Sequence, residues 1–235
     1  MERIVLIETS TALCSTALAE NGEIVSYRES SAPKAHASLT AVFIKEMLDE
    51  RGLSPKDCDA FCVSMGPGSY TGLRVGVSTA KGLCFGSGRP LLAVGTLDTL
   101  VAQASAECRN AIHDLSGNPR FIIPMIDARR MEVYSAVFSP DGTQITETAP
   151  AIIDEDSFAP QLAEGTCLFI GDGAGKCSDV IRHPNARFIQ CHPKASSMLV
   201  PAMKAYKEER FEDVAYFEPF YLKEFVATVS KKKLF

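Results

Sequence analysis

The sequence lacks several features that would assign it at once to a functional class. It contains no tryptophan, no CxxC pair among its eight cysteines and no run of eighteen apolar residues, so no segment is long enough to cross a membrane as a helix. Only four consecutive apolar residues, Ile4 to Ile7, precede Glu8, too few for the hydrophobic region of a signal peptide. The cysteines lie mostly in apolar segments, which is typical of reduced packing residues. We therefore expect a cytoplasmic protein.

An excess of positive charge is also missing. Lysine and arginine total 24 against 29 aspartate and glutamate residues, which gives a formal net charge of −5. This balance argues against strong nucleic-acid binding by the chain alone, so a nucleic-acid role would need a partner. The 235 residues, 46% of them hydrophobic, are enough for two small lobes or one large α/β unit.

Histidine is scarce as well, and its four positions do not form a metal-binding pattern. His36, His113, His183 and His192 include no pair spaced by four residues along a helix. The sequence also has no G-x-S-x-G nucleophile elbow. It therefore predicts neither a metal site nor a catalytic residue.

The most informative stretch that is present, Met65 to Phe85, reads MGPGSYTGLRVGVSTAKGLCF. It follows a short apolar strand pattern, so its glycines and proline predict a sharp turn into a helix that is N-capped by Ser69 or Thr71. A strand, a glycine turn and a helix N-terminus also form the geometry of an anion site, which makes Gly66, Gly68 and Ser69 weak cofactor-binding candidates. A tight turn without a ligand explains the same residues equally well.

Two predicted helices carry more apolar and glycine surface than one sheet would cover. In the helix at 35–51 the apolar residues span about 200°, where a surface helix needs only about 100°. In the second helix, at 71–85, Gly72 and Gly76 each cost about 1 kcal/mol relative to alanine, which indicates a second backbone passing close by. We predict a docking face for another protein or a second copy of the chain, formed by Leu39, Phe43, Met47, Gly72, Leu73, Arg74, Gly76, Val77 and Ala80.

The order of the predicted elements indicates an α/β protein with two lobes. A strand ending in Glu8 is followed by a hairpin at Asn21-Gly22, and a later strand ending in Asp127 is followed by another hairpin. This echo suggests a pseudo-duplicated protein with an N-terminal lobe at 1–107 and a smaller lobe at 108–213. The connections are short and the strands alternate with helices, as in folds that place helices on a mixed sheet.

Five segments resemble the TsaB (YeaZ) family in the expected order. They are IETSTALCSTAL at 7–18, HASL at 36–39, GPGSYTGLRVGVSTAKGL at 66–83, IDARRMEVY at 126–134 and EPFYLK at 218–223. The resemblance implies the two-lobed actin-like ATPase fold, which is ribonuclease H-like, with a mixed sheet and helices in each lobe. It also implies that Glu8 and Asp127 face the cleft between the lobes and that 214–235 complete the first lobe.

The function that this resemblance implies is that of a non-catalytic scaffold or activator. Such a subunit acts with TsaD and TsaE to modify the tRNA adenosine next to the anticodon with a threonylcarbamoyl group. The predicted face would serve for a homodimer or for TsaD, and tRNA would be contacted only through the complex. No cofactor is expected, and a nucleotide at a subunit junction stays open.

Two enzyme classes are the alternatives. TsaD binds a metal through an H-x-x-x-H pair, whereas Thr96 and Leu100 occupy those positions here, which argues against metal-dependent transfer or proteolysis. A glycoprotease-like hydrolase is further disfavoured because no nucleophile lies beside a base. A small-molecule kinase of the same fold would need phosphate loops in both lobes, for which the run Gly171–Lys176 is weak support.

Overall fold

Two five-stranded sheets form the framework of the computed structural model, which describes residues 2–111 and 119–223, and side chains for 2–104 and 119–223. The first sheet consists of β1 (Arg3–Glu8), β2 (Cys14–Glu20), β3 (Glu23–Ser30), β4 (Ala60–Gly66) and β5 (Leu91–Gly95). Its strand order is β3-β2-β1-β4-β5, with the β1–β2 and β2–β3 pairs antiparallel and the β1–β4 and β4–β5 pairs parallel. The first lobe is therefore a mixed sheet.

The second sheet repeats this topology. It consists of β6 (Phe121–Asp127), β7 (Glu132–Ser135), β8 (Ala149–Ile152), β9 (Cys167–Gly171) and β10 (Ala186–Gln190). The strand order is β10-β9-β6-β7-β8, which reads in the same sense as the first sheet when it is taken from the opposite edge. The β6–β7 and β7–β8 pairs are antiparallel and the other two are parallel, so the two sheets match strand by strand. The predicted mixed α/β architecture is confirmed.

Local sequence explains the first hairpin. Asn21 and Gly22 have φ angles of 50° and 82°, the left-handed values that a two-residue hairpin turn requires. The turn sets the register in which Arg3 lies opposite Glu20 and Glu8 opposite Ser15. Because β1 is buried on both faces, its sequence is a continuous apolar run rather than an alternating one.

Six helices in the described residues pack around these sheets. They are α1 (Ala35–Asp49), α2 (Tyr70–Ser87), α3 (Thr96–Ala111), α4 (Ala159–Glu164), α5 (Ala174–Ser178) and α6 (Leu199–Lys207). Helices α1 and α2 cover one face of the first sheet through a buried cluster that includes Ile44, Met47, Val77, Ala80, Val5, Ile7, Phe61 and Val63. The bounds of α1 and α2 lie within two residues of the ranges 35–51 and 71–85 that the sequence predicts.

The central helices cross between the lobes. Helix α3 follows β5 of the first sheet, yet Leu97, Leu100 and Val101 pack in the core of the second sheet. Helix α6 follows the second sheet, yet Ala202 and Ala205 pack against the remaining face of the first. Each lobe is therefore covered in part by a helix from the other half of the chain.

The segment after Asp213 returns to the first lobe as far as it is described. Val214 and Phe217 join the core cluster of α1 and α2, and Lys81 Nζ donates to the carbonyl oxygen of Phe217 at 3.1 Å. Phe220 N–H donates to the carbonyl oxygen of Met65 at 2.7 Å. The rest of the predicted return, 224–235, lies outside the described residues.

Six of the cysteines are buried free thiols and serve as small packing residues: Cys14, Cys58, Cys62, Cys84, Cys167 and Cys177. Burial raises the pKa of several of these thiols, Cys84 and Cys167 to about 11, so they stay protonated near neutral pH. Within the described ranges, no helix has the length and apolarity needed to span a bilayer.

Candidate functional site

The glycine turn between β4 and α2 begins the helix as the sequence predicts. Ser69, one of the two expected N-caps, accepts a hydrogen bond on its Oγ from Gly72 N–H at 3.3 Å. At the other end Gly88 has a φ of 71° and closes the helix in the left-handed conformation. The turn lies at the carboxyl edge of the first sheet, beside the gap between the lobes.

The row of glycines on α2 is filled by this chain itself. A Cβ atom at Gly72 would lie 2.1 Å from the carbonyl oxygen of Thr9, and one at Gly76 would lie 2.3 Å from Thr9 Oγ1. The second backbone that these glycines predict is therefore present, but it is the turn between β1 and β2. The expectation that Gly72 and Gly76 face a partner is wrong, because Thr9 already occupies that space.

The three weak anion-site candidates are packed in the same way. A Cβ atom at Gly68 would lie 2.3 Å from the carbonyl oxygen of Ser10, and one at Gly66 would lie 2.9 Å from that of Phe220. The Ser69 N–H donates to the Ser10 carbonyl oxygen at 2.6 Å, so this donor is already used. Close backbone packing thus explains the glycines without a bound phosphate.

Glu8 lies beneath this turn and does not face the cleft, which corrects the expectation for that residue. Its side chain is 0% exposed, and its Oε1 accepts a hydrogen bond from Ser10 N–H at 2.7 Å. Burial raises the pKa of Glu8 to about 7, because the charged form loses its hydration. Within the described residues Oε2 has no hydrogen-bond partner, and the same holds for Thr9 Oγ1 and Ser10 Oγ.

Asp127 does line the gap between the lobes, a cavity of about 820 Å³ bordered by the β1–β2 turn, the glycine turn and the segment 126–134. Its Oδ1 lies 2.5 Å from Lys176 Nζ and accepts the Arg129 N–H at 2.7 Å. Its own N–H donates to Asp172 Oδ1 at 2.9 Å. Asp127 is therefore held in a network of internal contacts at the cavity wall.

The glycine-rich run of the second lobe is likewise engaged internally. Gly173 N–H donates to the carbonyl oxygen of Met125 at 3.0 Å, and Gly175 N–H donates to Gln190 Oε1 at 2.6 Å. A Cβ atom at Gly171 would lie 2.2 Å from the Met125 carbonyl oxygen. The run is a packed turn rather than an open cradle for phosphate.

The two positions that correspond to the metal-binding pair of TsaD point into the protein. Thr96 Oγ1 lies 2.9 Å from Ser64 Oγ and is fully buried. Leu100 is also fully buried and packs in the core of the second sheet. In the part of the chain that the structure describes, no group of three or more His, Cys, Asp or Glu side chains is placed to hold a metal.

Most of the predicted docking residues belong to the core. Of the nine, six are buried against the chain's own sheet and turn: Met47, Gly72, Leu73, Gly76, Val77 and Ala80. Leu39 and Phe43 are half-buried on the flank of α1 that faces β3, where Glu46 and Glu50 pair with Arg28. Arg74 is exposed, with its guanidinium 4.1 Å from the centre of the Tyr70 ring. The apolar arc of α1 is wide because one part packs on the sheet and another lies on the flank toward β3, while Ala37 and Ala41 stay exposed.

A different set of α2 residues lies on the outer side of the helix. Val75, Ser78, Gly82 and Phe85 recur at helical spacing and are all small or apolar, and Phe85 is 87% exposed. A groove of about 280 Å³ runs beside them between α1 and α2 and is lined by Ala41, Ile44, Leu48, Thr79 and Leu83, among others. We call these four α2 residues and the groove the α2 face. The α2 residues that the sequence predicts for docking, apart from Arg74, lie on the opposite side of the helix.

Comparisons with known proteins identify the family to which this chain belongs. A family model described as TsaD, tRNA N6-adenosine threonylcarbamoyltransferase, matches residues 29–231. Over 238 aligned residues the chain is 31% identical to the tRNA threonylcarbamoyladenosine biosynthesis protein TsaB of Escherichia coli, covering 96% of both chains. The chain belongs to the TsaB branch of the TsaD family. The resemblance that the five sequence segments indicate is thereby confirmed.

Two further relatives support the TsaB assignment. The TsaB of Haemophilus influenzae is 37% identical over 131 residues, which cover 56% of this chain and 51% of that one. A crystal structure from Pseudomonas aeruginosa, described as an uncharacterized protein with similarity to peptidase YEAZ, superposes with a TM-score of 0.81 at 26% identity. It covers 95% of this chain and 100% of that one, so the two lobes are shared in full.

Proposed function

We propose that the chain is a non-catalytic subunit in the biosynthesis of threonylcarbamoyladenosine in tRNA, and that it acts with a TsaD-type transferase and TsaE. Membership of the TsaB branch supports the pathway, since its relatives are named for it. The buried Thr96 and Leu100 support the non-catalytic role, because neither side chain can bind a transition metal.

The exposed α2 face is the observation that carries the proposal. A lone apolar side chain in solvent is ordinary, but Phe85 shares the outer side of α2 with Val75, Ser78 and Gly82, and the groove opens on the flank of the same helix that faces α1. Another helix can pack closely on such a side, with Phe85 as the anchor and the groove as the complementary recess. We assign this face to the transferase subunit, with a second copy of the chain as the competing occupant.

The first test is the double variant Ser78→Glu and Phe85→Ser, measured by calorimetric titration with TsaD. Both residues are exposed on α2, so the variant should fold. Loss of the aromatic anchor and a new charge among small residues should weaken binding at least tenfold. The matched control is Val200→Glu with Ile152→Ser, which makes the same kind of change at exposed apolar residues elsewhere and should leave the affinity unchanged.

The second readout is transfer activity in a mixture of TsaD, TsaE, tRNA, ATP and the threonylcarbamoyl precursors. We expect no modified tRNA when this chain is omitted, and none when TsaD is omitted. Unchanged TsaD affinity of the folded α2-face variant would refute the docking face. Modified tRNA produced by this chain in the absence of TsaD would refute the non-catalytic role.

A further inference from the structure

The cavity between the lobes carries two arginines that the fold does not use. Arg129 and Arg130 have φ angles of 71° and 51°, and both side chains are exposed at the cavity wall. Within the described residues neither guanidinium forms an ion pair or hydrogen bond with the protein. Both residues lie in the tight turn between the antiparallel strands β6 and β7, where left-handed backbone is required and glycine or asparagine is the usual choice.

The acids of the cavity are neutralised by lysines instead. Asp127 pairs with Lys176, and Glu132 pairs with Lys223. The remaining acid of the wall, Asp172, is largely buried, which raises its pKa. With Asp172 counted as a carboxylate, Lys176 and Lys223 leave one acid of the wall unmatched, and Arg129 and Arg130 turn this into a small excess of positive charge, even though the chain as a whole is acidic.

Aromatic rings line the same cavity. Tyr70, Tyr134 and Tyr221 all border it, and the rings of Tyr70 and Tyr221 lie 4.9 Å apart. Arg74 lies over the Tyr70 ring and donates from Nε to Tyr221 Oη at 3.3 Å. Arg74 itself does not line the cavity, whereas the three tyrosine rings do, and rings beside the exposed Arg129 and Arg130 suit the stacking of planar bases.

Backbone donors, by contrast, are largely withdrawn from the cavity. The glycine turn uses Ser69 N–H on Ser10, and the glycine run of the second lobe uses Gly173 N–H and Gly175 N–H internally. A free di- or triphosphate is usually held by such donors, whereas single-stranded nucleic acids are held by side chains. The donor chemistry therefore favours a nucleic-acid strand over a free nucleotide.

We propose that this cavity binds a short stretch of single-stranded RNA, with bases against the tyrosine rings and phosphates at Arg129 and Arg130. The choice of RNA among anionic chains rests on the proposed function, in which tRNA is the substrate of the complex. The net charge of −5 predicts that the isolated chain binds weakly and in a salt-dependent manner.

The test uses the full chain and a fluorescein-labelled RNA about twelve nucleotides long, followed by fluorescence anisotropy at several salt concentrations. The variant Arg129→Asn with Arg130→Asn removes both charges with a residue that tolerates the left-handed backbone. We expect about tenfold weaker binding and a salt slope shallower by about 1.4, or about 0.7 for each phosphate that is no longer neutralised.

The control Arg182→Asn with Lys207→Asn removes the same charge from exposed sites away from the cavity and should retain the affinity. Equal losses in the two variants would overturn the proposal, since the effect would then reflect net charge alone. Displacement of the RNA by ATP or AMP at similar phosphate concentration would also overturn it, in favour of a free nucleotide.

Ultraviolet crosslinking of the same RNA locates the site and separates this proposal from the proposed function. Crosslinks at Tyr134 or Tyr221 support the cavity, whether or not the chain binds TsaD. Crosslinks confined to other surfaces, from a chain that still forms the complex with TsaD, would overturn the cavity proposal and leave the scaffold role intact.

Discussion

Burial sets the protonation of Glu8, and this has a consequence for stability. The pKa of about 7 in the fold lies above the ordinary value of 4.5, so the folded protein binds a proton that the unfolded chain releases between these two values. The free energy of unfolding should therefore fall as pH rises from about 4.5 to 7, by an amount on the order of 3 kcal/mol, and then level off.

The variant Glu8→Gln tests this effect by urea unfolding at pH 5 and pH 8. We expect the variant to lose this part of the pH dependence and to be more stable than the parent protein at pH 8, because the neutral amide carries no buried charge. Glu147→Gln, at an exposed position, should leave the profile unchanged. Parallel pH profiles for Glu8→Gln and the parent would contradict a buried, protonated Glu8.

At the residue level, the prediction that Glu8 ends a strand is correct, but the prediction that its side chain faces the cleft is not. The family resemblance implies a cleft acid at both Glu8 and Asp127, since each follows an apolar strand. The two differ because the turn after β1 folds back over Glu8, whereas the turn after β6 leaves Asp127 at the cavity. No local signal distinguishes these outcomes, since the covering residues come from packing against α2.

At the level of the element, helix α2 contains one tightly packed glycine and one exposed glycine, whose substitution by alanine can be compared directly. Gly72→Ala should destabilise the protein by about 3 kcal/mol, because its Cβ would overlap the carbonyl oxygen of Thr9. Gly82→Ala meets nothing within 4 Å and should stabilise it by about 0.5–1 kcal/mol through helix propensity. Thermal and urea unfolding of the two variants measure the difference.

Equal effects of the two alanines would show that Thr9 does not pack against α2 as described. Gly76→Ala provides a second case, since its Cβ would approach the Thr9 hydroxyl rather than the carbonyl oxygen. A hydroxyl can rotate away more easily than a backbone atom can move, so we expect its cost to lie between the other two.

The positions of helices and turns were easier to predict from the sequence than the segments against which they pack. The Asn21-Gly22 hairpin and an N-cap at Ser69, one of the two expected caps, follow from local residue preferences and are confirmed, and the bounds of α1 and α2 agree with the predicted 35–51 and 71–85 to within two residues. The side of α2 that meets solvent does not follow as directly. Val75 and Val77 are equally apolar, yet Val77 is buried in the core while Val75 lies partly in solvent, and only the position of the sheet decides between them. Gly72 and Gly76 likewise indicate that a segment packs closely against α2, but they do not indicate which segment it is.

At the level of the whole molecule, each sheet is completed by residues that are distant in sequence. The face of the first sheet that contains Ile4, Leu6 and Leu92 is covered by α6 and by the short helix Ala195–Met198 before it. We predict that residues 2–95 alone do not fold cooperatively, since this apolar face would stay in water. Residues 2–95 joined to 191–223 by a flexible linker should show a cooperative thermal transition by circular dichroism.

A sharp transition in residues 2–95 alone would contradict this dependence on α6. The sequence identified two halves from the repeated strand, acid and hairpin, and the matching sheet topologies agree with that division. It did not reveal the exchange of α3 and α6, because both helices follow their own sheet directly along the chain and only long-range contacts place them on the other one.

The exchanged helices also limit how the molecule can move. Helix α3 is anchored to the second sheet and α6 to the first, and the two helices contact each other between the lobes. The α3–α6 contact therefore joins the two lobes at one place, while the cavity walls that contain Arg129 and Tyr221 are separate segments of the chain. A ligand that contacts both walls of the cavity would therefore hold the two lobes at a fixed separation without changing the core of either lobe.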